Sequence, residues 1–182
     1  MSVATGNITA IKKGVMLCID PSSGSAGSNL GYAIFDKGIL VEAGEIDMSE
    51  HWEEPVSKRL FNLSECLKRS FTNEVDLIVV EKIRAVSRGR AYTANHQLMW
   101  SVGVIQASIP HKKAVEIHTR TWQGIVKRTW TKYIKGDMHD AIGIGVGMIA
   151  LAHGYNAKKI NNKPQQELLE STIKPKIREA LT

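Results

Sequence analysis

The stretch VDLIVVEKI, residues 75–83, constrains the fold of this chain more than any other. It is a near-continuous aliphatic run of strand length, and a strand reads this way when it has sheet neighbours on both sides and covering elements on both faces. The rest of the chain can supply both. GVMLCID (14–20), GYAIFD (31–36) and GILVEAGEID (38–47) read as three strands separated by turn residues, hence two consecutive hairpins. Val56, Leu60, Leu63, Leu67 and Phe71 recur at spacings of four, three, four and four, the apolar stripe of an amphipathic helix with Pro55 in its first turn. AYTANHQLMWSVGVIQASI (91–109) is long enough for a buried or partner-packed helix and stops at Pro110. KKAVEIHT gives a fifth strand, RTWQGIVKRTWTKYIKG a short helix and basic loop, and DMHDAIGIGVGMIALAHG (137–154) a helix that is apolar except at its start. The order β-β-β-α-β-α-β-α predicts an α/β fold, a five-stranded mixed sheet with helices on both faces.

A chain of 182 residues suits one domain that buries about two thirds of its unfolded surface. Residues 1–13 are expected to be a flexible N-terminal segment, 14–154 the folded domain, and 155–182 a polar tail with a weak helix interrupted by Pro175. No apolar run approaches the roughly 20 residues of a membrane span, and the N-terminus lacks the apolar core and cleavage site of a secretory signal. A cytoplasmic location is therefore expected. Cys18 and Cys66 fall on the apolar faces of a predicted strand and helix, as buried free thiols of a reducing compartment do.

Charge is distributed unevenly. Residues 36–81 carry eleven acids and five bases, a balance of −6, whereas residues 82–136 carry eleven bases against Glu116 alone, a balance of +10. The basic half suits a polyanion, and nucleic acid is the foremost candidate. Lys82, Arg84, Arg88, Arg90 and Tyr92 follow the aliphatic strand; Arg120, Lys127, Arg128, Lys132 and Lys135 surround the fourth helix and lead toward Asp137. These are the candidate DNA contacts, with Trp130 and Tyr133 interleaved; Trp130 reads better as an anchor of its loop than as a base-stacking platform.

Four acids stand where a structural role explains them poorly. Asp20 ends the first strand and Glu81 ends the aliphatic run, and a charge rarely terminates a buried strand unless it is solvated, paired or bound to a metal. Asp137 and Asp140 stand at i and i+3 in the first turn of the last helix, on one face. Each alone is an ordinary helix-start acid. Convergence of all four would raise some of their pKa values unless a hard divalent cation, Mg2+ or Mn2+, removed the repulsion.

Taken in order, LCIDPS…LGYAIFD, LIVVEKIRAV…AYTANHQLMWSVGVIQASI, AVEIHTRTW and DMHDAIGIGVGMIALAHG resemble the RuvC group of Holliday-junction resolvases, within the ribonuclease H-like nucleases, over roughly residues 14–154. The Asp-x-x-Asp opening of the last helix and the Glu that ends the fourth strand are the most specific parts. The resemblance implies that Asp20, Glu81, Asp137 and Asp140 are catalytic acids holding two Mg2+ or Mn2+ ions; His139 between the helix aspartates is equally a candidate contact to bound water or phosphate and a helix-surface histidine that points away. The resemblance further implies a homodimer, joined through the helix at 91–109 with Met99 and Trp100 in the interface. Such a dimer grips four-way or branched DNA and nicks two opposing strands symmetrically, leaving 5′-phosphate and 3′-hydroxyl ends. Three departures mark a divergent branch, such as a phage-encoded enzyme of a bacterial cell. Asp20-Pro21-Ser22 replaces the usual Asp-Pro-Gly and leads into a longer loop; Arg84 stands where an aromatic is common; and a 28-residue tail follows the motif core.

The same acids would serve a ribonuclease H-like enzyme acting on RNA or hybrids, and a junction-binding protein with a decayed site would share the basic half. An actin-like ATPase would need two duplicated domains and a much longer chain. Gly143 and Gly147 share a helix face and read as sites of close packing on the sheet, Trp52 and Trp122 as packing residues. His51, His96, His111, His118 and His153 have no metal-ligand spacing with cysteine or each other, so zinc is not expected.

Overall fold

A computed structural model of the chain describes residues 5–21, 29–49, 54–82, 90–130 and 136–154. Strands β1 (Val15–Asp20), β2 (Leu30–Asp36), β3 (Ile39–Ile46), β4 (Leu77–Lys82) and β5 (Ala114–His118) form one sheet in the order β3-β2-β1-β4-β5. The first three pair antiparallel as successive hairpins, and β4 and β5 add in parallel on the other side of β1. β1 is thus the central strand, with β4 beside it.

Side-chain alternation along these two strands explains the unbroken apolar run. Met16, Cys18, Leu77 and Val79 face a core shared with α1 (Thr5–Lys13), α4 (Thr119–Trp130) and α5 (Asp137–Ala152). Leu17, Ile19, Ile78 and Val80 face a second core shared with α2 (Val56–Ser70) and α3 (Arg90–Ser108). All eight are fully buried. By the same alternation Asp20 and Glu81 emerge together on the α5 side of the sheet.

Helix α1 stands where a flexible segment was expected. Ile11 is buried in the α5-side core and Ile8 and Ala10 pack against it. Thr, Gly and Asn are weak helix formers, so this helix depends on docking rather than on local pattern, and a stripe one turn long left little to read. Cys18 is buried as expected, but Cys66 is only half-buried, at the margin of the α2 stripe, with its sulfur 3.7 Å from an Arg69 guanidinium nitrogen. The tail beyond Gly154 lies outside the described residues.

Two details of the β2–β3 hairpin matter for the site. Its turn is Lys37-Gly38, both with positive φ (50° and 79°), the pairing that suits the right-handed twist of a two-residue hairpin. Beyond it the register shifts by one: Phe35 pairs with Leu40 but Ile34 with Glu42, so Val41 is an extra residue bulged from the edge strand.

The glycines of α5 serve packing, with partners other than those anticipated. A Cβ on Gly143 would stand 2.6 Å from the Trp122 ring and one on Gly147 2.7 Å from Trp122 Cβ, so these two admit α4 rather than the sheet. The sheet contact belongs to Gly145, where a Cβ would meet Phe35 Cε2 at 2.1 Å. Gly145→Ala is therefore expected to destabilise the chain by about 1–3 kcal/mol through overpacking, outweighing a gain of roughly 1 kcal/mol in helix propensity. Combined with Phe35→Leu the loss should be less than additive, and urea denaturation of the four proteins of that cycle checks it.

Candidate active site

Asp20 and Glu81 reach the same end of the sheet because β1 and β4 run parallel in register, Ile19 opposite Val80. What brings α5 to them is Gly31, the β2 partner of Asp20. A Cβ there would lie 1.9 Å from the Asp137 carbonyl oxygen and 2.6 Å from the Met138 nitrogen. Only a residue without a side chain lets the first turn of the helix settle on the strand at this level. Asp137 and Asp140 arrive with it, at the positive end of the helix dipole.

Asp20 feels the other three acids. The Asp20 carboxyl is pushed up to about 8, chiefly by burial, then by the charges of Glu81, Asp140 and Asp137, and by a hydrogen bond with Glu81. The Thr119 hydroxyl, at the β5–α4 junction, donates to Glu81 Oε1. Asp137 is half-buried, and burial raises it too, against the lowering effect of the Asn29 backbone N–H, which donates to its Oδ2 at 3.1 Å; nearby Glu45 raises it further. Among the described residues no three His, Cys, Asp or Glu side chains are grouped as a ready metal cage. Raising the Asp20 carboxyl in this way is how a buried acid beside other acids relieves repulsion. The donor set is all carboxylate oxygen, which fits Mg2+ or Mn2+ and disfavours softer metals.

Asn29, Glu45 and Thr119 escaped sequence reasoning. Only Glu45 left a signal, two residues from the inward-facing Ala43 on β3. His139 lines a groove of about 350 Å3 with Leu40, Val41, Glu42, Ala43, Met138 and Ile142, on the β3 side of the helix start. Lys82 is exposed at the end of β4, 3.9 Å from Glu116, and Arg120 is exposed in the first turn of α4. Lys112 is spent elsewhere: it bonds Asp76 at 2.7 Å at the opposite end of the strands, and this hydrogen bond is the main cause holding the Asp76 carboxyl below its usual range. Arg84, Arg88, Lys132 and Lys135 lie outside the described residues, as do the side chains of Arg90, Tyr92, Lys127 and Arg128.

No family model matches the chain, and no curated protein matches it. Solved structures do. RuvC of T. thermophilus in complex with a Holliday junction substrate superposes with a TM-score of 0.52 at 14% identity, over 77% of this chain and 92% of that one. A second Thermus thermophilus RuvC structure gives 0.48 at 15% identity, over 77% and 93%. The yeast mitochondrial Holliday junction resolvase Ydc2 gives 0.49 at 13%, over 84% and 89%. The mixed sheet of β3-β2-β1-β4-β5 with helices on both faces is thus a ribonuclease H-like α/β fold, of the kind found in RuvC.

Proposed function

We propose that the chain is a divalent-metal-dependent endonuclease that resolves four-way DNA junctions as a homodimer. What supports this reading is that Asp20, at the open end of the two central parallel strands, feels the charges of Glu81, Asp140 and Asp137, which add to burial in pushing its carboxyl up to about 8. Folding brings these acids together at an energetic cost, and oxygen-seeking cations relieve it. Two Mg2+ or Mn2+ ions held by the four acids would supply an activated water and stabilise the leaving 3′ oxygen of a phosphodiester. The fold shared with a junction-bound RuvC supports a junction as the substrate.

The chain's own residues prepare the site. Thr119 fixes Glu81 and the Asn29 amide fixes Asp137, so each carboxylate is held before any ligand arrives. Lys82 and Arg120 flank the strand ends as phosphate contacts, and we assign Arg84, Arg88, Arg90, Tyr92, Lys127, Arg128, Lys132 and Lys135 to the same surface. His139 is assigned a phosphate contact from the β3 side. For the dimer, Met99 and Trp100 on α3 are 46% and 51% exposed, an unusual surface for large apolar residues at the middle of a helix whose other side, at Val102 and Ile105, is buried. Paired, ligatable nicks follow if two such sites face one junction.

The reading is tested by cleavage, by stability and by assembly. With Mg2+ the chain is expected to nick an immobile four-way junction and spare a linear duplex of the same arms. Asp20→Asn should lose about 10²–10³-fold in rate, the scale of one preorganised group in a desolvated site, while still binding the junction; binding without nicks by the wild type would point to a non-catalytic binder. In metal-free protein the sign of the Asp20 shift is fixed: its folded pKa lies above the unfolded value, so the stability it confers when protonated is complete below about pH 4 and is lost as pH rises through 8. On the order of 5 kcal/mol is involved. Asp20→Asn should remove this decline, and Mg2+ should raise the wild-type urea midpoint at pH 8. Finally, Trp100→Glu should give a monomer by light scattering and uncouple the two nicks.

A further inference from the structure

Helix α5 has no cap of its own. Gly136 occupies its N-cap position with φ of 83° and no side chain to accept a hydrogen bond, so the first-turn N–H groups must be met from elsewhere. One is met from the edge strand. Met138 N–H donates to Glu45 Oε1 at 3.3 Å. The other oxygen of that carboxylate accepts from Asn29 Nδ2 at 2.9 Å, and the backbone N–H of the same asparagine donates to Asp137 Oδ2 at 3.1 Å. The three bonds close a ring through Glu45, Asn29, Asp137 and Met138. Glu45 is placed for this by its pairing with Gly31, the residue against which the helix start rests.

We infer that Glu45 is a positioning residue of the acid centre: it caps α5 from the neighbouring strand and, through Asn29, holds the Asp137 carboxylate beside Asp20. This rests on the reading of Asp137 as a metal ligand. The arrangement divides two tasks that an aspartate at a helix start usually has to combine. An Asp that caps its own helix turns its oxygens onto backbone N–H groups. Here the cap comes from β3, so Asp137 spends Oδ2 on Asn29 alone. Both Glu45 oxygens are engaged, one by the Met138 N–H and the other by Asn29 Nδ2, which aims this carboxylate at the helix start.

The test uses the full chain and two readouts: Mn2+ binding by titration calorimetry, and the Mg2+ dependence of junction cleavage. Glu45→Ala should weaken Mn2+ binding and raise the Mg2+ needed for half-maximal cleavage about tenfold, with the rate at saturating Mg2+ nearly unchanged, the usual effect of losing a partner behind the ligands. Glu45→Gln keeps an acceptor oxygen for the Met138 N–H, and an amide flip of Asn29 restores its partner, so this variant should behave like wild type. Glu42→Ala, on the same strand but bonded to Tyr32, is the control for a general effect on the hairpin and should leave metal dependence unchanged. The inference is overturned if Glu45→Ala leaves metal dependence unchanged, if Glu42→Ala shifts it equally, or if Glu45→Gln is as impaired as Glu45→Ala. Should the wild type not cut junctions while Glu45→Ala still weakens Mn2+ binding and Glu45→Gln restores it, the proposed substrate falls and the positioning role stands.

Discussion

The parallel pairing of β1 with β4 is the constraint from which the other features follow. Four consecutive residues of each strand are fully buried, and their side chains alternate between two cores. At about 1.5–3 kcal/mol for each large apolar side chain removed from water, these strands make a large contribution to what holds both cores. The cost is topological: two parallel strands buried on both faces require helices on both sides and a long crossover between them, which α2 provides. The strands end together, so whatever residue type ends them is delivered to one place. Here that residue is an acid in both cases.

This explains how far the sequence could be read. The aliphatic run at 75–83, the three N-terminal strands and the α2 stripe are local patterns whose period survives in the fold, and the adjacency of β1, β2 and β3 followed from the hairpin spacing. Asp20, Glu81, Asp137 and Asp140 were legible for a related reason, since each is a charge at the end of an otherwise apolar element. Helix α1 was not legible because its order comes from Ile11 docking on a core built by residues far along the chain. Gly145 was overlooked in favour of its neighbours because two glycines four apart suggest a packing face, yet the sheet approaches between them at Phe35.

Asn29, Glu45 and Thr119 were hidden for a different cause. Each acts on an acid that lies 38 to 108 residues away in sequence, and polar residues next to turns are unremarkable in isolation. Their roles appear only once the strand ends and the helix start are assembled, because they hold the acids rather than resemble them. The ring from Glu45 to Asp137 also shows why the helix can begin with glycine. Gly136 lets the chain turn sharply into α5, and the missing cap is supplied by a strand already fixed in the sheet.

The extra residue at Val41 gives the edge of the sheet a say in the chemistry of its centre. Counting from the Lys37-Gly38 turn, an unbulged hairpin would set Gly44 opposite Gly31 and turn Glu45 toward the α2–α3 face. With Val41 bulged, Glu45 takes the place opposite Gly31 and lies under the start of α5. Hairpin length at a sheet edge is ordinarily free to drift, since loops and edges absorb insertions at little cost. In this molecule it is not free, because one residue gained between the turn and Glu45 would set Gly44 opposite Gly31 and exchange a carboxylate for a hydrogen atom at the foot of the helix. The geometry of the acid centre is in that sense counted out from a surface turn.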